Sequence, residues 1–188
     1  MSVPKLRIAA IALCLAVSAL PAAEIPRRAQ DLGIQFPGQG ESVRLSKYKG
    51  KVVALLFILT TCPHCQNAVR ALSAEQNQLG PRGFQALASA IDETAQANLP
   101  NFIREFKPPF PVGVNNVMAA LDFMQHPPMV GPRMPLIAFI DRQGFVRAQF
   151  EGQEPFFAED KMAANIHAKL LDMLKSDAKA SPKKAPSK

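Results

Sequence analysis

The chain has 188 residues but no tryptophan, and Tyr48 is its one tyrosine. Proteins that hold single-stranded nucleic acid stack bases on aromatic side chains set among basic ones. The 22 Lys and Arg residues here are not interleaved in that way, so nothing supports a nucleic-acid partner despite a formal charge of +7. Cysteine is scarce too, at three residues. No second CxxC and no HxxxH accompanies Cys62 and Cys65, which argues against a tetrahedral structural zinc site with its four ligands. A Gly-rich phosphate loop, a Ser/His/Asp signature and a haem CxxCH are also missing, since Gln66 follows Cys65, and no cofactor is expected.

Much of the charge is terminal. Lys5 and Arg7 precede the apolar segment Ile8 to Leu20, which Pro21-Ala22-Ala23 follows. That order of charged, apolar and small residues predicts a secretory signal peptide over residues 1–23, and hence an exported, periplasmic protein. The segment is short for a bilayer span, and an uncleaved anchor is the alternative. Cys14 lies inside it after Ala12-Leu13, without the small residue that a lipid-attachment cysteine follows, so the mature chain keeps two cysteines. Residues 176–188 are rich in Lys, Ala, Ser and Pro and predict a disordered basic tail. Residues 24–175 remain as one globular domain, and 48% hydrophobic content supports a core without disulfide staples.

Within that domain the patterning alternates between strand and helix. Gly40 to Leu45 alternates polar and apolar residues and reads as a short strand. Val52 to Leu59 is continuously apolar, as a strand covered on both faces should be. Ala68, Val69, Leu72 and Leu79 follow at helical spacing until Gly80-Pro81-Arg82-Gly83 stops the pattern. Phe84 to Ile91 predicts a second inner strand, Ala95 to Phe106 a helix, Phe110 to Val114 a short extended piece and Asn116 to Met124 a further helix. Residues 125–134 are too rich in proline and methionine to be regular. Leu136 to Ile140, the turn Asp141-Arg142-Gln143-Gly144 and Phe145 to Glu151 form a hairpin. The last helix spans about Ala158 to Leu174. The sum is an α/β domain.

Cys62-Pro63-His64-Cys65 falls at the junction of the first core strand with its helix. A disulfide between such near neighbours closes too small a loop to restrain the unfolded chain much, so its purpose is reactivity. Attack requires a thiolate, and Cys62 at a helix N-terminus would face unpaired N–H groups and the positive end of the helix dipole. Pro63 suits the first helical turn because its missing N–H is not needed there. His64 can add a donor or a positive charge beside the sulfur. Cys65 is the resolving thiol of the exchange cycle.

These features, with Arg44 to Val53 ahead of the motif and Met134 to Gly144 behind it, resemble the redoxin branch of the thioredoxin superfamily, especially exported TlpA/ResA-like thiol-disulfide oxidoreductases. The resemblance covers roughly Leu32 to Phe157. It implies a thioredoxin-like fold, a central mixed sheet flanked by helices, with an N-terminal redoxin-type extension. It implies that Pro135 is the proline whose cis peptide lies opposite the motif, and that the backbone of Met134 pairs with a bound substrate chain. The partners implied are protein thiols and disulfides and a membrane or periplasmic redox protein. The Pro-His pair is similar to that of DsbA-like oxidants. Three positions depart from the pattern: Leu56 stands where thioredoxins bury a carboxylate, Ala68 where many TlpA/ResA-like proteins carry an acid, and Thr61 where a tryptophan is usual.

Two other functions are open to the same residues. Met118, Met124, His126, Met129 and Met134 crowd a short stretch, and thioethers, imidazole and thiolates suit Cu(I). A copper-delivery protein similar to the Sco family would use Cys62, Cys65, His126 and Met129, although that family spaces its cysteines as CxxxC. A peroxiredoxin would need a threonine and an arginine arranged around one cysteine, and Thr60, Thr61 and Arg133 do not stand in that order.

Overall fold

The computed structural model describes residues 23–36, 40 and 42–180, with side chains as far as Ser176. The expected signal peptide falls outside the described residues except for Ala23. Among those described, no helix is long and apolar enough to cross a membrane.

Eight strands form one sheet: β1 (Arg27–Arg28), β2 (Gly33–Gln35), β3 (Ser42–Arg44), β4 (Val52–Ile58), β5 (Phe84–Ala90), β6 (Val112–Val114), β7 (Leu136–Ile140) and β8 (Phe145–Glu151). Their spatial order is β1-β8-β7-β4-β5-β6-β2-β3. The neighbours β4, β5 and β6 run parallel, and every other pairing is antiparallel. The helices are α1 (Pro63–Leu79), α2 (Ala95–Phe106), α3 (Val117–Met124) and α4 (Met162–Ala180).

Every residue of β4 is buried, as its unbroken apolar run requires of a strand covered on both faces. Ala54, Leu56 and Ile58 join Leu72 of α1, Leu99 of α2 and Ile166 and Leu170 of α4 in one cluster. Val53, Leu55 and Phe57 turn the other way and join Phe123 of α3 and Ile34 and Val43 from the N-terminal strands. The period of two along the strand thus builds two cores from one segment.

Three details differ from the expectation. The stretch before residue 40 contributes two short strands, β1 and β2. The last helix begins at Met162 rather than Ala158, because Pro155–Phe157 forms a 3-10 turn first. It continues to Ala180, five residues into the segment expected to be disordered; residues 181–188 are outside the described residues.

A dithiol at a helix N-terminus

Cys62 is the N-cap of α1, with extended backbone (φ −84°, ψ 115°). Its sulfur accepts from the Cys65 N–H at 3.4 Å, and its carbonyl accepts from the Gln66 N–H at 3.0 Å. Pro63 takes the first helical position, where no donor is lost. The first turn of α1 carries no acidic side chain, so the sulfur is the group that meets the positive end of the helix dipole. Both cysteines are free thiols, Cys62 half-buried and Cys65 buried. Burial pushes the Cys65 thiol well above its ordinary value, and the neighbouring Cys62 sulfur pushes it the same way. One sulfur is therefore reachable and the other is held as a thiol beneath it.

His64 is held by the fold. Its Nε2 lies 2.8 Å from the carbonyl oxygen of Phe157, which can only accept, so Nε2 carries the proton. The ring meets Phe157 edge-on at 5.8 Å between centroids. The imidazole therefore ties the start of α1 to the 3-10 turn that follows β8.

The Met134-Pro135 peptide is cis. Pairing of Leu136 with Phe57 brings Pro135 to the end of the sheet where β4 leads into the motif. Met134 is half-buried and packs against both core clusters. A Cβ on Gly152 would lie 2.1 Å from the Met134 carbonyl oxygen, so glycine is needed where the end of β8 passes this peptide.

The positions that depart from the resemblance are filled consistently. Leu56 and Ala68 are fully buried among apolar side chains. A carboxylate does reach this end of the sheet from another strand. Asp92 follows β5, and its Oδ1 accepts from the backbone N–H of Thr60 at 3.2 Å and from the Thr60 hydroxyl. Gln66 Nε2 donates to the Thr60 carbonyl at 3.1 Å and Asn98 Nδ2 to the Thr60 hydroxyl oxygen at 3.3 Å. The second Asp92 oxygen is buried without a hydrogen-bond partner. Sequence reasoning missed this network, although an acid directly after an inner strand was a visible signal.

The copper set does not assemble. Among the described residues no three His, Cys, Asp or Glu side chains converge on a possible ion site. His126 is engaged at both ring nitrogens, by the Pro127 carbonyl at 3.0 Å and the Glu151 carboxylate at 3.1 Å. Met124 is a core residue, whereas Met129 is 94% exposed and Met118 is exposed. Apolar burial and loop exposure separate the thioethers that sequence proximity had grouped.

The AhpC/TSA family model matches residues 24–149. The chain belongs to the AhpC/TSA family. Within that family it is a thiol-disulfide oxidoreductase with a thioredoxin-like fold, built on the Cys62-Cys65 pair. A Chlorobium tepidum protein assigned as thiol:disulfide interchange protein DsbE is 26% identical, over 77% of this chain and 96% of that one, with a TM-score of 0.62. A thioredoxin family thiol:disulfide interchange protein from Chlorobium tepidum TLS is 20% identical, over 81% and 99%, at 0.65. A Bacteroides sp. thiol:disulfide interchange protein is 20% identical, over 78% and 90%, at 0.60. No curated protein matches the chain.

Proposed function

We propose that this protein is exported to the periplasm and exchanges disulfides with protein thiols there, with Cys62 as the attacking and Cys65 as the resolving sulfur. The observation that carries the reading is the half-buried Cys62, whose sulfur caps α1, beside the buried Cys65. Starting from the dithiol, the Cys62 thiolate attacks a substrate disulfide. A sulfur–sulfur bond to Cys62 forms, the substrate bond breaks, and one substrate sulfur leaves as a thiolate that takes up a proton. Cys65 then gives up its proton and attacks the Cys62 sulfur, releasing the second substrate thiol. The substrate gains two electrons and the protein ends as the Cys62–Cys65 disulfide; the oxidised protein runs the steps in reverse.

His64 and Pro135 act as positioning residues in this reading. The bond from His64 to Phe157 fixes the first turn of α1, and Pro135 keeps the backbone of Met134 available to a substrate chain. The residues ahead of Glu24 serve as the export signal, and the electron partner is a membrane or periplasmic redox protein. Equilibrating the chain from Glu24 with glutathione buffers and counting thiols tests the exchange. A two-electron transition that Cys62→Ser and Cys65→Ser each abolish is expected, and its midpoint sorts donor (about −120 to −180 mV) from reductant (about −270 mV). Absence of any transition would end the proposal.

A further inference from the structure

Beside the motif, between the start of α1 and α2, lies an open cavity of about 370 Å³. Thr60 and Thr61, the two residues before Cys62, form one wall, and Gln66 from the first turns of α1 adjoins them. The other wall is α2, which contributes Asn98, Phe102, Glu105 and Phe106. We propose that this cavity is a substrate subsite that takes a lysine or arginine side chain of the polypeptide flanking the reactive disulfide. The inference rests on the exchange activity proposed above and specifies its substrate class.

Four observations support that occupant. Glu105 is the charged residue of the lining, and no ion-pair partner is recorded for it among the described residues. Arg104 does not reach it, because its guanidinium is bonded to Asn101. Behind Thr60, the Asp92 carboxylate adds a second negative group with one unpartnered oxygen. Phe102 and Phe106 meet at a 31° tilt with 4.5 Å between centroids, an apolar floor that suits the methylene stem of a long basic side chain while its charged head reaches a carboxylate. The Arg70 guanidinium already covers one face of Phe106, 4.6 Å from its centroid, so that face is not open to the occupant. Amide groups on Gln66 and Asn98 complete a wall able to bond a peptide backbone.

The test uses single-turnover reaction of the reduced full-length protein with two disulfide-linked peptide dimers. The peptides differ only in carrying lysine or glutamate beside the cysteine. Hydroxyethyl disulfide, small and neutral, reports exchange independently of the subsite. The lysine peptide is expected to react about fivefold faster than the glutamate peptide, the scale of one partly exposed ion pair and its like-charge counterpart. In Glu105→Lys the ratio should invert, and because it is a ratio within one protein, any change in overall activity cancels. Glu105 is exposed near the C-terminus of α2, where lysine is well tolerated. A ratio of one in the natural protein, or one that survives Glu105→Lys, overturns the subsite alone. Failure to react with hydroxyethyl disulfide overturns the exchange reading and the subsite with it.

Discussion

Two pairs of carboxylates, one pair at each end of the central sheet, are used in opposite ways. At the end away from the motif, Asp141 is buried and spends both oxygens: Oδ1 accepts from the Phe145 N–H at 2.8 Å and Oδ2 from Arg147 Nε at 2.5 Å. Asp31, nearby along the same cleft, accepts from Arg44, from the Ser46 N–H and from the Ser46 hydroxyl. At the motif end, Asp92 keeps one oxygen unpartnered and Glu105 has no recorded ion pair. Saturated acids fasten loops. Unsaturated ones leave electrostatic attraction available to whatever enters beside Cys62.

The largest expected effect lies at the motif end. Cys62→Ser should lower disulfide exchange by about a thousandfold or more, and Cys65→Ala should accumulate a mixed disulfide detectable by mass. Normal turnover by the Cys62 variant would remove the motif from the mechanism. Next is Asp141→Ala at the opposite end, expected to cost about 3 kcal/mol in denaturant unfolding, because it leaves Arg147 and the Phe145 N–H without their acceptor. Exchange per folded molecule should be unchanged, and a parallel loss of exchange would break the division between the two ends.

The pH dependence follows from Cys65. Burial is the largest cause raising its thiol and persists in the mixed disulfide, where the Cys62 sulfur is bonded to substrate and carries no charge, so attack by Cys65 must wait for a proton to leave. Release from the mixed disulfide should speed up about tenfold per pH unit through the alkaline range, measured by quenched-flow with a chromogenic disulfide. The sign for stability is the reverse. A raised folded value favours the protonated thiol, so the contribution is complete below the ordinary thiol value near 8.5 and is lost as pH rises from there toward the folded value. The reduced protein should show this alkaline loss, and the oxidised one should lack the Cys65 part of it.

Smaller effects sharpen the contrast between the acids. Asp92→Asn should destabilise by no more than about 1 kcal/mol, well short of the Asp141 change, because asparagine can still accept from Thr60; a cost near 3 kcal/mol would mean that Asp92 is a fastener too. Asp31→Asn should cost about 0.5 kcal/mol, the scale of an exposed ion pair. Burial alone would push the Asp31 carboxyl up, but hydrogen bonds from Arg44 and Ser46 outweigh it and hold the group below its usual value. Its contribution is therefore present above the ordinary carboxylate range and fades as pH falls through the lowered value. Acid unfolding curves of the two proteins should converge at low pH.

Most of the regular structure was legible because it follows from runs long enough to show a period. The limits of α2, β7 and β8 agree with the sequence reading, and α1 ends at Leu79 where Gly80-Pro81 interrupts it. Asn116 caps α3 through its side chain, accepting from the Ala119 N–H at 2.8 Å. What escaped was short or non-local. The strands β1 and β2 have two and three residues, too few for alternation to register, and they exist because β8, β3 and β6 offer them partners. At the site, the thiols could be read from spacing, whereas the Asp92-Thr60 contact depends on two parallel strands ending side by side. The methionines misled for the same reason: nearness in sequence says nothing about which side chains a helix buries and a loop exposes.

The N-terminal strands also bear on aggregation. An open sheet has two rows of unpaired backbone groups, each a template for another chain. Here both outer positions are filled from residues 27–44, with β1 alongside β8 and the β2-β3 pair beyond β6. Strands of two or three residues give an incoming chain little to add to. Arg27 pairs with Val146, so the earliest part of the domain to be made waits for one of the latest before that flank can close. Until β8 is in place β1 has no partner and the edge of β7 stays open, and this is the interval in which the nascent protein is most vulnerable to self-association.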